Sequence, residues 1–355
     1  MSRQSKTIAQ VDMQQEERLG VVLFNLGGPE TLAEVRPFLY NLFCDAEIIK
    51  LPWRGLQKPF AWLMAATREK KSQGYYAQIG GGSPLRRITE QQANALAAEL
   101  QQRGIEARAY VAMRCWHPTT EETLEKIVAD KITRLIALPL YPQFSISTTR
   151  SSLRHFIKII DLHGGLRQIR RHYITRWHDH PRYIEALAET IEAARNKLPN
   201  SDPHATHLVF SAHSVPLSYL EQGEPYLDHT KRTIDLVMER LGRTRPYTLS
   251  FQSKIGPVKW LQPASDEVIR QLGKQGARQV LVVPVSFVSD HIETLYELDI
   301  LYRKAAQEAG IQNFTRAAAL NVNSTFIGAL ADLVEEQLQL RGCRGKGHQL
   351  VGGRQ

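Results

Sequence analysis

The sequence predicts an α/β protein built from two similar halves, each a doubly wound parallel sheet, with a cleft between them. Three observations predict it. Short apolar runs rich in Val, Ile and Leu alternate with segments of helical composition along most of the chain, the pattern of buried parallel strands joined by crossover helices. A length of 355 residues is enough for two domains of ordinary size. There is also an internal echo: FNLGGPE at 24–30 resembles FSAHSVP at 210–216, and LIALPLYPQFS at 135–145 resembles VLVVPVSFVSD at 280–290. Each member sits at a strand end in its own half, as repeated units facing one another would.

Residues 1–17 are polar and read as a loose tail without the apolar core of a signal peptide. Leu19 to Leu26 is a buried strand, followed by the turn Gly27-Gly28-Pro29 and a helix from about Thr31 to Leu42. The tract Ile48 to Thr67 holds Leu51, Trp53, Leu56, Phe60, Trp62, Leu63 and Met64 with prolines between. It reads either as a core helix capped by an irregular loop or as an apolar lip that touches a flat greasy ligand or a membrane interface. The prolines favour the lip. Ile79 to Leu85 is a glycine-rich turn without the Lys-Ser/Thr of a phosphate loop, so it is read as a tight loop that lets backbone approach another surface.

A helix from about Thr89 to Arg103, a strand at Ala107 to Arg114, a helix at Thr119 to Ala129 and a strand at Arg134 to Leu140 come next. Tyr141 to Arg150 is then a strand end, a polar turn and a Ser/Thr-rich helix start. Its free N–H groups suit an anion, unless Ser147 or Thr148 simply caps the helix. A strand near Arg170 to Trp177, a helix at Tyr183 to Lys197 and a polar link Pro199 to His204 lead to the strand Thr206 to Phe210. Helix Tyr226 to Leu241, strand Tyr247 to Gln252, helix Ser265 to Lys274, strand Gln279 to Val285 and helix Asp290 to Ala309 complete the second half. A strand at about Thr315 to Leu320 and a helix Phe326 to Leu340 close the fold, ahead of a glycine-rich basic tail. The expected domains are 18–180 with the C-terminal helix 322–340, and 181–321, flanked by flexible tails 1–17 and 341–355.

Composition narrows the function. Cys44, Cys115 and Cys343 stand far apart and form no C-x-x-C pair, which argues against a disulfide framework or a cysteine-held metal and suits a reducing compartment. A net charge of +9 favours anionic partners. The basic residues are spread rather than blocked, so nucleic acid is the weaker choice. The most apolar tract is broken by Pro52, Arg54, Gly55, Lys58 and Pro59 and cannot span a membrane.

Two groups of residues point to chemistry. On a helix starting at Asp290, Asp290, Glu293 and Glu297 fall on one stripe, with Leu295, Leu298 and Tyr302 opposite. A capping box and the helix dipole account for Asp290 and Glu293 but not for Glu297. His213 lies at a strand end, where open α/β sheets bind ligands. Facing Glu293, it offers an imidazole and a carboxylate, a donor set suited to Fe²⁺, Zn²⁺ or Co²⁺. Two protein ligands are too few for a permanent site, so an ion would pass through rather than stay. Phe251 to Trp260 offers either an aromatic face with cations beside it or a basic surface loop around a packed Trp.

Taken together, NLGGPE at 25–30, IGGGSP at 79–84, YPQFSISTT at 141–149, FSAHSVP at 210–216, FQSKIGPVKWLQP at 251–263 and SDHIETLYELDI at 289–300 resemble ferrochelatase, the family that inserts ferrous iron into a porphyrin. The six motifs occur in family order. The resemblance covers about residues 19 to 340 and implies two Rossmann-like domains around a porphyrin cleft, with the C-terminal helix returning to the first. It implies catalytic roles for His213, Glu293, Asp290 and Glu297, with His213 and Glu293 at the iron and His291 in the acidic path. Expected porphyrin contacts are Leu26, Tyr141, Ser145, Ser147, Thr148, Trp260 and Phe287.

The resemblance further implies protohaem formation from Fe²⁺ and protoporphyrin IX, with iron as substrate, no permanently bound cofactor and no iron–sulfur cluster, since Cys343 stands alone. A monomer is expected, cytoplasmic or peripheral to the inner membrane. Cys115, before Trp116, stands where the family often has tyrosine, and Ala77-Gln78 stand where some relatives carry basic residues, which leaves open how the propionates are held. A chelatase for coproporphyrin or another metal and a non-catalytic tetrapyrrole-binding protein are the alternatives. The second would not need both His213 and the acidic stripe.

Overall fold

The computed structural model describes residues 17–51, 53–199, 203–253 and 258–339. The expected tails at 1–16 and 341–355, Pro52, the middle of the 199–204 link, Leu340 and Lys254 to Pro257 lie outside the described residues.

Two four-stranded parallel sheets form the frame. In the first, β1 (Leu19–Asn25) lies between β2 (Ala107–Met113) and β3 (Arg134–Pro139), and β4 (Arg170–Tyr173) flanks β3. In the second, β5 (Thr206–His213) lies between β6 (Tyr247–Gln252) and β7 (Gln279–Pro284), and β8 (Asn313–Arg316) flanks β7. The strand order is the same in both halves. The echo in the sequence therefore has a structural meaning: β1 corresponds to β5 and β3 to β7. Strands β1, β3 and β7 are buried along their whole length, as expected of sheets covered on both faces.

Helices α1 (Val35–Cys44), α2 (Gln57–Ala77), α3 (Leu85–Gln102), α4 (Thr120–Ala129), α5 (Ser151–Leu162) and α6 (Pro181–Arg195) are followed by α7 (Leu217–Glu221), α8 (Tyr226–Arg240), α9 (Ser265–Lys274), α10 (Arg303–Glu308) and α11 (Ser324–Gln339). One apolar core runs through both halves, from Leu23 and Leu138 to Phe210, Val283 and Phe326. Separate outer cores lie behind each sheet. The last helix, α11, packs on α3 and α6. Arg103 of α3 ties it down through Asp332, Glu335 and the Gly328 carbonyl, and Arg134 of β3 donates to the Gln337 carbonyl.

Beyond shifted boundaries, as at β8, which runs Asn313–Arg316 rather than Thr315 to Leu320, four elements differ from expectation. The tract after Ile48 does form a helix, α2, because Pro59 falls in its first turn, where a missing N–H costs no hydrogen bond. It is nonetheless not a core helix: Trp62 and Leu63 on it, and Trp53 and Leu56 before it, are 50–72% exposed. Ser145, not Ser147 or Thr148, caps the helix after β3, accepting the Ser147 N–H. The short helix α7 has no counterpart in the sequence pattern. Most consequentially, the segment expected as one α-helix from Asp290 is a π-helix from Glu293 to Tyr302 that continues into α10. Its buried residues Thr294, Leu298 and Tyr302 recur strictly every four, the signature of a wider turn than the alternating three and four of an α-helix.

Two glycines answer to close packing. Gly27, at φ +90°, turns the chain two residues after β1, and a Cβ there would lie 2.8 Å from Trp116 Cβ. Gly82 packs against backbone: a Cβ there would lie 2.0 Å from the Glu30 carbonyl oxygen, and Ser83 donates its N–H to the Pro29 carbonyl. Gly82→Ala should therefore destabilise the protein by about 1–3 kcal/mol, the range for overpacking. The check is the denaturation midpoint, and an unchanged midpoint would show that the two loops can separate freely.

Candidate active site

The loops at the carboxyl ends of the two sheets meet, and the residues of interest lie along that seam. In each half the chain reverses its winding between the first and third strands, so the seam joins two switch points, where doubly wound sheets bind ligands. His213 is the last residue of β5, and Ser286 and Phe287 come after β7 next to it. The backbone of His213 is fixed at both ends. Its N–H donates to Ser286 Oγ at 3.2 Å, and its carbonyl accepts from Tyr226 Oη at 2.9 Å, with Tyr226 and Ser286 hydroxyls 2.6 Å apart.

The imidazole Nδ1 lies 3.0 Å from Glu293 Oε2, and the histidine side chain is still 33% exposed, so solvent and ions can reach it. Ser253 Oγ stands 2.8 Å from Glu293 Oε2 and 2.8 Å from Glu297 Oε2, and Gln252 Nε2 donates to Glu293 at 3.3 Å. Ser253 holds φ +65°, a conformation that costs a non-glycine residue about 1–3 kcal/mol. Strain of this kind persists where neighbours over-determine it, and here the two carboxylates and the end of β6 do so.

The electrostatics split the two carboxyls. Burial alone would raise Glu293, but the charge and hydrogen bond of His213, with help from His291 and Ser253, bring it down to about 2. Glu297 is pushed up to about 8, first by burial and then by the charge of Glu293. Burial would lower His213; Glu293 and Glu297 outweigh it and raise it. One serine hydrogen cannot serve two acceptors at once. Glu293 and Glu297 thus make the imidazole hold its proton more firmly than a free histidine would. At neutral pH the two carboxyls stand in opposite protonation states, Glu293 ionised and Glu297 neutral.

Phe287 lies against both imidazoles, with ring centroids 6.0 Å from His213 and 4.3 Å from His291. His291 is buried, its Nδ1 3.1 Å from the Ser289 carbonyl, and burial lowers it. Of the expected ring contacts from the first half, Leu26, just after β1, is half-buried against the shared core, and Tyr141, just after β3, has its hydroxyl buried. Ser145 is buried as the helix cap, whereas Ser147 and Thr148 are half-buried. The expected free N–H at that helix start is taken: Ile146 donates to Glu224 of the second half. Gln143 carries the same tract to the Val285 carbonyl, immediately before Ser286. Trp260 bridges to Pro216, and its indole N–H is buried without a partner.

Asp290 is not brought to His213. Both its oxygens are committed to Thr294, Asn321 and Arg316, and no hydrogen bond joins it to His213, Glu293 or Glu297 among the described residues. It also does not cap the helix with Glu293; Thr294 Oγ1 takes the His291 N–H instead. The stripe drawn from α-helical spacing therefore reduces to Glu293 and Glu297.

Several residues at the seam are not legible in the sequence. Tyr75 of α2 stacks on Tyr296 of the π-helix at 4.3 Å, and the neighbouring Tyr76 is buried and raised by burial and by Glu293. Nothing in one sequence pairs α2 with the acidic helix. Gln252 and Ser253 did carry a signal, since they stand at a strand end inside one of the six motifs.

The raised carboxyl of Glu297 can be tested through stability. With its carboxyl near 8 when folded and near ~4.3 when unfolded, the folded state binds more protons between those values. Its contribution to stability is full below about 4.3 and is lost as pH rises through about 8. Glu297→Gln should therefore gain stability relative to the parent protein as pH climbs from 5 to 8, read as the difference in chemical-denaturation midpoints. A difference that stays constant across that window would rule out the raised carboxyl.

Comparisons with known proteins agree with this geometry. The family model described as Ferrochelatase matches residues 18–338. A ferrochelatase of Synechocystis sp. is 51% identical over 327 residues, 92% of this chain and 84% of that protein. One from Thermosynechococcus vestitus is 52% identical over 320 residues, 90% and 82% of the respective chains. Among solved structures, SirB from Bacillus subtilis with Fe³⁺ has a TM-score of 0.53 at 12% identity, covering 91% of this chain and 96% of that one. CbiX, the terminal enzyme for biosynthesis of siroheme in denitrifying bacteria, has 0.52 at 13% identity, covering 90% and 99%. At that identity these two chains speak for the two-domain architecture alone. With the fold, the seam and the matched length in agreement, the chain belongs to the ferrochelatase family.

Proposed function

We propose that the protein inserts Fe²⁺ into protoporphyrin IX to form protohaem, with His213 and Glu293 at the ion and Glu297 as the neighbouring acid. The observation that carries this reading is the 3.0 Å contact between His213 Nδ1 and Glu293 Oε2 at a solvent-reached strand end. Insertion exchanges one dication for the two pyrrole protons. The site must therefore attract a cation, strip its water and accept protons.

Glu293, ionised above about 2, supplies the attraction. His213, which its acidic neighbours make more basic than a free imidazole, must be without its proton before it can take a pyrrole proton or offer its lone pair to iron. Its exposed edge gives that proton a way out to solvent. Glu297, neutral and joined to Glu293 through Ser253, completes a hydrogen-bonded row along which protons can shift. The hydroxyls of Ser147 and Thr148 suit the propionates, and Leu26, Tyr141, Trp260 and Phe287 suit the faces of a flat ring. Binding energy from such remote contacts can hold the macrocycle bent. Both walls come from one chain, so a monomer suffices.

Anaerobic incubation with Fe²⁺ and protoporphyrin, followed by loss of porphyrin fluorescence, is the direct test. His213→Ala and Glu293→Gln should each slow turnover by about 100-fold or more while porphyrin still quenches protein fluorescence at similar concentrations. Parent-like turnover in either variant would remove that residue from the site. Parallel runs with coproporphyrin, Co²⁺ and Zn²⁺ compare the related substrates.

The exposed face of Trp53, Leu56, Trp62 and Leu63 is read as a peripheral contact with the inner membrane, made from the cytoplasmic side. Arg36 lies 5.5 Å over the Trp62 ring, placing a cation beside the apolar face as an anionic bilayer surface favours. No helix among the described residues is long and apolar enough to cross a membrane. Trp62→Glu with Leu63→Glu should cut co-sedimentation with phosphatidylserine-containing vesicles by about tenfold. Undiminished co-sedimentation would dismiss this face.

A further inference from the structure

We infer that Asp290, Arg316, Asn321 and Gln92 form a tether that sets the position of the acidic π-helix against the first half, so that Asp290 is a positioning residue rather than a carrier of iron or protons. The inference deepens the proposed function and rests on it for its catalytic consequence.

The geometry is continuous from one half to the other. Gln92 of α3 is fully buried; its amide donates to the Asn321 carbonyl at 2.8 Å and exchanges hydrogen bonds with Ser289 at 3.0 and 3.2 Å. Asn321, at φ +43°, turns its side chain onto Asp290: Oδ1 accepts the Asp290 N–H at 2.9 Å, and Nδ2 donates to Asp290 Oδ2 at 2.8 Å. Asp290 Oδ1 then accepts from Thr294 Oγ1 at 2.9 Å, and Thr294 is the residue next to Glu293. Arg316 of β8, 10% exposed, spans the helix. It lies 3.1 Å from Asp290 Oδ1 and grips Asp299 with two hydrogen bonds of 2.9 and 2.8 Å.

A π-helix is a poor stand-alone structure, and this one carries two carboxyls towards the seam. It therefore needs an outside frame, and the buried guanidinium holds it both before its first turn and within its body. Each Asp290 oxygen already faces a donor of this frame, so the carboxylate holds the helix rather than reacting. A displacement of Glu293 by about 1 Å can cost about 100-fold in rate, so a tether one residue away has leverage on the chemistry without touching it.

The test is a polarity swap. Asp290→Asn sets an amide N–H₂ against either the Asn321 amide or the Arg316 guanidinium, whichever way it is turned, and Asn321→Asp sets two carboxylates against each other. Combining them restores one donor and one acceptor, with aspartate still tolerated at positive φ. Each single variant should lower kcat by about tenfold with porphyrin KM unchanged, and should speed amide hydrogen exchange in the peptide spanning residues 292–302. The combined variant should return kcat to within about threefold of the parent and restore exchange protection.

Recovered protection with kcat still at the Asp290→Asn level would mean that the carboxylate itself reacts, which overturns the inference. Unchanged exchange in both single variants would overturn it as well. Should the parent protein insert no metal, the functional reading fails, while the exchange measurements still decide the tether.

Discussion

The contact between His213 and Glu293 is what the rest of the molecule is arranged to keep. An imidazole and a carboxylate at 3.0 Å are ordinary on a protein surface and worth little there. At the end of a buried strand, against a neutral second carboxyl, the same contact sets the protonation of three groups at once. Every element that touches it is fixed elsewhere. Tyr226 and Ser286 fix the backbone of His213, Ser253 accepts strain to stand between the acids, and the π-helix is framed by Arg316.

Much of this was legible in the residues. Alternating apolar runs and helical segments identified both sheets, and the paired motifs at 24–30 and 210–216 identified equivalent strands. His213 was visible because a polar residue ends a run of buried ones, where such sheets bind ligands. What escaped was whatever depends on tertiary contact or on helix type. Assuming one α-helix from Asp290 drew it into a stripe with Glu293 and Glu297, whereas the helix begins only after Asp290, whose carboxylate is held by Arg316, 26 residues further along. Pro59 misled for a local reason, since a proline in a first turn is compatible with a helix. The Tyr75–Tyr296 stack joins residues more than two hundred positions apart, and no single-sequence pattern carries such a pairing.

The two halves also divide the work. The second sheet carries the ionisable groups on short, heavily hydrogen-bonded connections. The first supplies hydroxyls after β3, the aromatic pair at the end of α2, and an exposed apolar face at its start. Hydrogen bonds from Gln143 to Val285 and from Gln92 to Asn321 make the two sheets a single frame, so the separation of the walls is set by buried amides rather than by surface charge.

Leu26 has a consequence beyond its place against the shared core. Phe24 pairs with Pro139 of β3 as Ser211 pairs with Pro284 of β7, so Leu26 stands at the position in the first half that His213 occupies in the second. The symmetry of the backbone is thus broken in chemistry: one copy carries an ionisable imidazole and its twin an apolar side chain. The acids beside His213 have an imidazole to answer them, whereas the matching place in the first sheet offers no group that can take or give a proton.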